Sequence, residues 1–95
     1  MHDNYSPQAI RLHLLNRAIE GSPDGAINFV LRGEYWLEQE DAAQSIADFL
    51  TAIELAKTEL ETSDWGYVQQ ALIDRSQQGL RLAHSFVDQS ERSNY

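Results

Sequence analysis

The fold turns on the stretch Arg32-Gly33-Glu34-Tyr35-Trp36-Leu37-Glu38-Gln39-Glu40-Asp41-Ala42-Ala43-Gln44-Ser45-Ile46-Ala47-Asp48-Phe49-Leu50-Thr51-Ala52-Ile53-Glu54. Its apolar residues recur at helical rather than strand spacing, and the polar cluster Gln39-Glu40-Asp41 interrupts them once. The stretch therefore reads as two helices joined by a tight turn. Its last triplet, Ala52-Ile53-Glu54, repeats Ala18-Ile19-Glu20 at a spacing of 34, and Phe49 stands in the register of Leu15. A fixed period of roughly 20–50 residues marks a helical repeat, in which units stack to bury a shared core. Such an arrangement points toward holding another polypeptide rather than toward chemistry.

Working outward, Ser6-Pro7 is a helix start, with serine as N-cap and proline at the first helical position, where a missing N–H is no loss. Ile10, Leu14 and Ala18 follow at i, i+4, i+8, and Leu12, Leu15 and Ile19 widen that stripe. Gly21-Ser22-Pro23-Asp24-Gly25 ends it, so the first helix is expected at about 7–20. Asp24 is a candidate cap for a second helix at about 25–39, patterned by Ile27, Val30, Leu31, Tyr35 and Leu37. The third, at about 41–61, carries Ala43, Ile46, Ala47, Phe49, Leu50, Ile53, Ala56 and Leu60. Ser63 or Asp64 caps a fourth at about 64–88, with Trp65, Val68, Leu72, Gly79, Ala83 and Phe86 on one stripe and Ile73, Leu80 and Val87 beside it. Residues 1–5 and 89–95 read as frayed tails. The expected fold is one all-α domain, an antiparallel array of four helices joined by short turns.

Composition narrows the class. A chain of 95 residues with 42% hydrophobic content can build one core. No run of about 18 apolar residues occurs, so no membrane span is expected, and the amino-terminal residues have neither the basic start nor the apolar stretch of a secretory signal. The absence of cysteine excludes disulfides and thiol chemistry and fits a cytoplasmic protein. The net charge of −8 is concentrated in the middle: residues 1–33 and 65–95 are each neutral, whereas 34–64 hold nine acidic residues against Lys57 alone. Such a block repels phosphate backbones and argues against nucleic acid as partner. It reads either as a solvated face or as a surface for a basic partner.

Residues 32–54 resemble one tetratricopeptide repeat. The family places glycine in its first helix where this chain has Gly33, an aromatic three residues on, here Trp36, then a small residue at Ser45, with Phe49 and Ala52 after it. Leu15, Ala18 and Pro23 match the end of a preceding repeat, so the likeness covers about 12–57. It implies that the first helix is the second half of a truncated repeat, that the second and third form the complete helix pair, and that the fourth covers its apolar face. The chain departs from the pattern at Glu40, where the family usually has glycine in the inter-helix turn, and at Lys57, which replaces the closing proline and lets the third helix run on to about 61. One complete repeat cannot build the long concave superhelix of several.

The resemblance places Ile27, Val30, Glu34, Leu37 and Glu38 on the concave side of the repeat's first helix. Members that grip a carboxyl terminus use lysine, asparagine and arginine there, and none stands at these positions. An apolar strip rimmed by Glu34 and Glu38 suits an amphipathic segment carrying lysine or arginine. The other reading is that Ile27, Val30 and Leu37 pack against the first or fourth helix.

Catalytic and metal chemistry find little support. His2, His13 and His84 are scattered, no His-Glu-x-x-His occurs, and His84 beside Asp88 reads as a surface pair. His13 lacks the following lysine-glycine of a phosphotransfer bundle, and no Glu-x-x-His pair offers a carboxylate-bridged metal centre. The loop at 21–25 lacks the lysine of a phosphate-cradling loop, and no strand-to-helix elbow presents a serine nucleophile. Trp65 and Phe86 read as core, Tyr67 as an exposed aromatic suited to an interface, and Tyr5 and Tyr95 as parts of the tails. The expectation is a non-enzymatic interaction module without cofactor or metal, its partner-binding residues Ile27, Val30, Glu34, Leu37 and Glu38. The alternative is a structural homodimer that spends the same apolar surface on itself, with the fourth helix pairing across a two-fold axis.

Overall fold

A computed structural model describes residues 6–62, 64 and 66–92, the side chains of 90–92 excepted. It consists of four helices, α1 (Pro7–Gly21), α2 (Ala26–Glu38), α3 (Ala42–Thr62) and α4 (Gly66–Arg92), and the described residues contain no strand. Ser6 caps α1, its hydroxyl accepting from the amide of Ala9 at 3.0 Å, with Pro7 in the first turn. At the start of α2 the cap position falls to Gly25, not Asp24, and no side chain bonds the free amides there. Asp41 caps α3 by accepting from the amide of Gln44 at 3.1 Å. Ser63 and Trp65 lie outside the described residues. α4 continues through Arg92, beyond the end expected near 88.

Consecutive helices run antiparallel, as the contacts across each pair require. Arg11 meets Glu38, and Asn16 meets Arg32, between α1 and α2. The Phe49 ring lies against Gly33 of α2 and against Gly79 of α4, and Leu60 lies beside Gly66. α4 packs along α3 and also reaches α2, whereas α1 packs on α2 alone. The radius of gyration is 15.1 Å, in a slab of 45 × 45 × 15 Å. A compact chain of about 100 residues has a radius of about 13 Å, so this array is thin and leaves much helix surface in water.

The core is built from one ring and many small side chains. Val30, Phe49 and Ala52 form one fully buried cluster, flanked by Phe29, Leu37, Leu72 and Leu80. Ala26, Ala56 and Ile73 form a second, flanked by Leu55, Leu60 and Leu72. Leu72 touches both and joins them. Ser45 and Ser76 are also fully buried, and each hydroxyl donates to a carbonyl of its own helix, Ala42 at 2.9 Å and Leu72 at 2.8 Å. A small polar residue satisfied in this way lets a neighbouring helix approach without an orphaned donor.

The register of burial differs from the expected stripes in two helices. In α1, Ile10 and Leu14 are 47% and 61% exposed, while Leu12, Leu15, Asn16 and Ile19 are half-buried. The secondary stripe, not the primary one, faces α2, and no residue of α1 is fully buried. In α4 the buried line is Ile73, Ser76, Gly79 and Ala83, with Val68 and Val87 left exposed. Glu40 has φ 59°, the left-handed conformation, and bridges α2 to α3 with the backbone geometry for which glycine is favoured.

Candidate partner-binding surface

The structure separates the five residues expected to meet a partner. Val30 is 0% exposed, enclosed with Phe49 and Ala52, and is therefore core. Leu37 is half-buried against the same cluster. The expected packing against the first or fourth helix holds only in part: the buried partners are Phe49 and Ala52 of α3, and α4 flanks that cluster through Leu72 and Leu80. Ile27, one turn before Val30, stays 38% exposed.

Glu34 and Glu38 do not form an open acidic rim. Glu34 accepts two hydrogen bonds from Arg75 of α4, both at 2.6 Å. Glu38 accepts two from Arg11 of α1, at 2.7 and 2.8 Å. A third fork joins Arg32 to Asp48 of α3 at 2.7 and 2.8 Å, and the same guanidinium donates to Asn16 of α1 at 3.0 Å. Each fork matches the planar guanidinium to a carboxylate by two parallel bonds. All three end on α2, so that helix is clamped to each of its neighbours once.

The hydrogen bonds from Arg11 hold the Glu38 carboxyl below the usual carboxylate range. Their reciprocals hold Arg11, Arg32 and Arg75 above the ordinary guanidinium value, through Glu38, Asp48 and Glu34 respectively. Arg11 also lies 5.5 Å from the centroid of the Tyr35 ring, and Arg32 lies 5.6 Å from that of Phe29. The acidic middle of the chain is thus partly neutralised by arginines from its two neutral flanks.

A groove of about 540 Å³ opens where the start of α2, the second half of α3 and the first turns of α4 converge. Ala26, Ile27, Leu55, Val68 and Leu72 supply its apolar lining. Val68 is 40% exposed, and with Ile27 it presents aliphatic surface at the mouth. Asp24 and Glu59 stand at the edge, and neither pairs with a cation among the described residues. Such a volume lies in the range of roughly 300–1,000 Å³ that holds a small ligand or a few side chains. The sequence signal for this place was confined to Ile27. Val68 sat in the pattern of the fourth helix and Glu59 only among the acidic residues of the middle, and only the antiparallel return of α4 along α3 brings them together.

The stripe Trp65, Val68, Leu72 and Phe86, on which pairing through α4 depends, is not presented as one surface. Leu72 turns inward to both clusters and Phe86 is half-buried, while Val68 is exposed and Trp65 lies outside the described residues. Among the described residues no three His, Asp or Glu side chains are grouped to hold a metal ion, and no helix is long and apolar enough to cross a membrane. Comparison of the chain with protein-family models, with characterised proteins and with solved structures gave no match.

Proposed function

We propose that this protein is a tetratricopeptide-like interaction module that holds a segment of another polypeptide by equilibrium binding, without turnover. The segment sits in the groove between α2, α3 and α4, with aliphatic side chains on Ile27, Val68 and Leu72 and a lysine or arginine toward Asp24 and Glu59. The observation that carries this reading is the pairing of an open apolar groove with two carboxylates that form no ion pair among the described residues. The two carboxylates of α2, Glu34 and Glu38, are occupied by arginine forks, whereas Asp24 before α2 and Glu59 of α3 stay open to a cation at the groove. Apolar burial supplies the affinity, and the carboxylates supply register and preference for a basic partner.

The test is calorimetric titration with a synthetic amphipathic helix carrying lysine on its polar edge. Asp24→Asn with Glu59→Gln is expected to weaken binding about tenfold, equivalent to about 1.4 kcal/mol. Glu38→Gln, which alters only the clasp to Arg11, is expected to leave affinity unchanged. Equal loss in both variants would sink the assignment to this groove.

A further inference from the structure

We infer that α1 of a second copy of this chain is an occupant of the groove, so that the protein associates head to tail through its own first helix. This rests on the groove reading above and names a partner for it. α1 is apolar on two opposite sides, which a helix covered on one side does not require. At about 100° per residue, Leu12, Leu15, Asn16 and Ile19 share the side that meets α2. Pro7, Ile10, Leu14, Arg17 and Gly21 share the opposite side, and all five are exposed. A β-carbon added at Gly21 would meet nothing within 4 Å, so that side is unobstructed up to its end.

The outward stripe has the chemistry that the groove selects. Ile10 and Leu14 stand one turn apart, and Arg17 follows one turn later on the same side. Arg17 forms no ion pair with the described residues, and Asp24 and Glu59 lack cations. Aliphatic side chains on Ile27 and Val68 with Arg17 between the two carboxylates satisfy both deficits in one contact. The contact cannot form within one chain. The stripe points away from α2, while the groove opens between α2 and the helices on its other side. Stripe and groove are different surfaces, so the contact is heterologous, and a dimer still offers one free stripe on one copy and one free groove on the other.

Sedimentation equilibrium on the full chain, from roughly 10 µM to 1 mM at low salt, covers the range in which small interfaces associate. The wild type is expected to gain mass with concentration and to lose it on adding salt. Leu14→Asp on the stripe and Glu59→Lys at the groove are each expected to raise the dissociation constant at least tenfold. Both positions are exposed, and unchanged far-ultraviolet circular dichroism confirms that each variant folds. An equimolar mixture of the two is expected to restore a heterodimer and stop there, because it joins the intact groove of one to the intact stripe of the other.

Three results overturn the inference: a wild type that stays monomeric throughout, a mixture that fails to rescue, or Glu59→Lys that associates like wild type while Leu14→Asp does not. The last would mean that α1 pairs with α1. A monomeric wild type that still binds the lysine-bearing peptide in the groove overturns self-docking alone. One that does neither overturns the groove reading as well.

Discussion

The ring of Phe49 fills the space that a β-carbon at Gly79 would need. A β-carbon built on Gly79 overlaps the ring, and one on Gly33, across the ring from another helix, would come within 2.8 Å of it. Phe49 is fully buried and cannot swing aside. Two helical glycines, each costing roughly 1 kcal/mol relative to alanine, are thus the counterpart of one aromatic side chain shared by α2, α3 and α4.

Gly79→Ala is accordingly expected to destabilise the fold by roughly 1–3 kcal/mol, because overpacking outweighs the gain in helix propensity. Gly33→Ala is expected to cost less, since its clearance is greater. Urea denaturation measures both. Adding Phe49→Leu to Gly79→Ala is expected to recover part of the loss, giving a coupling energy above about 0.5 kcal/mol. Strict additivity would show that ring and glycine do not compete for the same space.

Glu40 holds a left-handed conformation, φ 59°, with an exposed side chain. Glu40→Gly relieves that conformation, offset partly by the greater freedom of glycine in the unfolded chain. The expected net gain is about 0.5–1 kcal/mol, visible as a rise of a few degrees in Tm. A lowered Tm would mean that the carboxylate contributes more than its backbone costs.

The clasp between α1 and α2 is acid-labile. Arg11 holds Glu38 below the usual carboxylate range, so its contribution is complete above the unfolded value of about 4.3 and is lost as pH falls through the lowered folded value. Amide exchange in α1, referenced to α3, is expected to accelerate below about pH 4 and on raising salt, since both partners are largely solvent-exposed. Glu38→Gln is expected to remove most of the pH dependence. A pH response as large in that variant as in wild type would assign it to another group.

Asp48 is nearly buried beneath Arg32. Asp48→Ala strands a partly buried guanidinium and is expected to cost about 3 kcal/mol, the lower end of the roughly 3–5 kcal/mol for breaking a buried pair from one side, since Arg32 keeps some contact with water. Arg32→Met with Asp48→Ala is expected to be milder than Asp48→Ala alone, because no charge is left behind. Thermal denaturation of the three proteins decides this, and a double variant worse than the single one would contradict it.

The four helices were legible in the sequence because each carries a local period near 3.6, and α1 and α3 also carry a side-chain cap. Ser6-Pro7 and the turn at 39–41 lie where those signals place them. The types at Gly33, Ser45, Phe49 and Ala52 likewise announced a close helix pair. The choice of face was less legible in α1, since two stripes of similar apolarity compete and only contact with α2 selects Leu12, Leu15 and Ile19 over Ile10 and Leu14. Ser76 escaped notice because a hydroxyl looks polar until its own helix satisfies it.

By itself, then, the sequence determined helix number and approximate limits, both of which depend on neighbours within a turn or two. The tertiary structure alone decided which charges are free and where an apolar groove opens. Arg11 finds Glu38 across 27 residues and Arg75 finds Glu34 across 41, and such pairings depend on the packing of whole helices. Val30 went to the core and Ile27 to the groove edge, although they stand three residues apart on one helix. The difference is made by α3 and α4, which close over the side of α2 that carries Ala26 and Val30 and leave Ile27 at its margin.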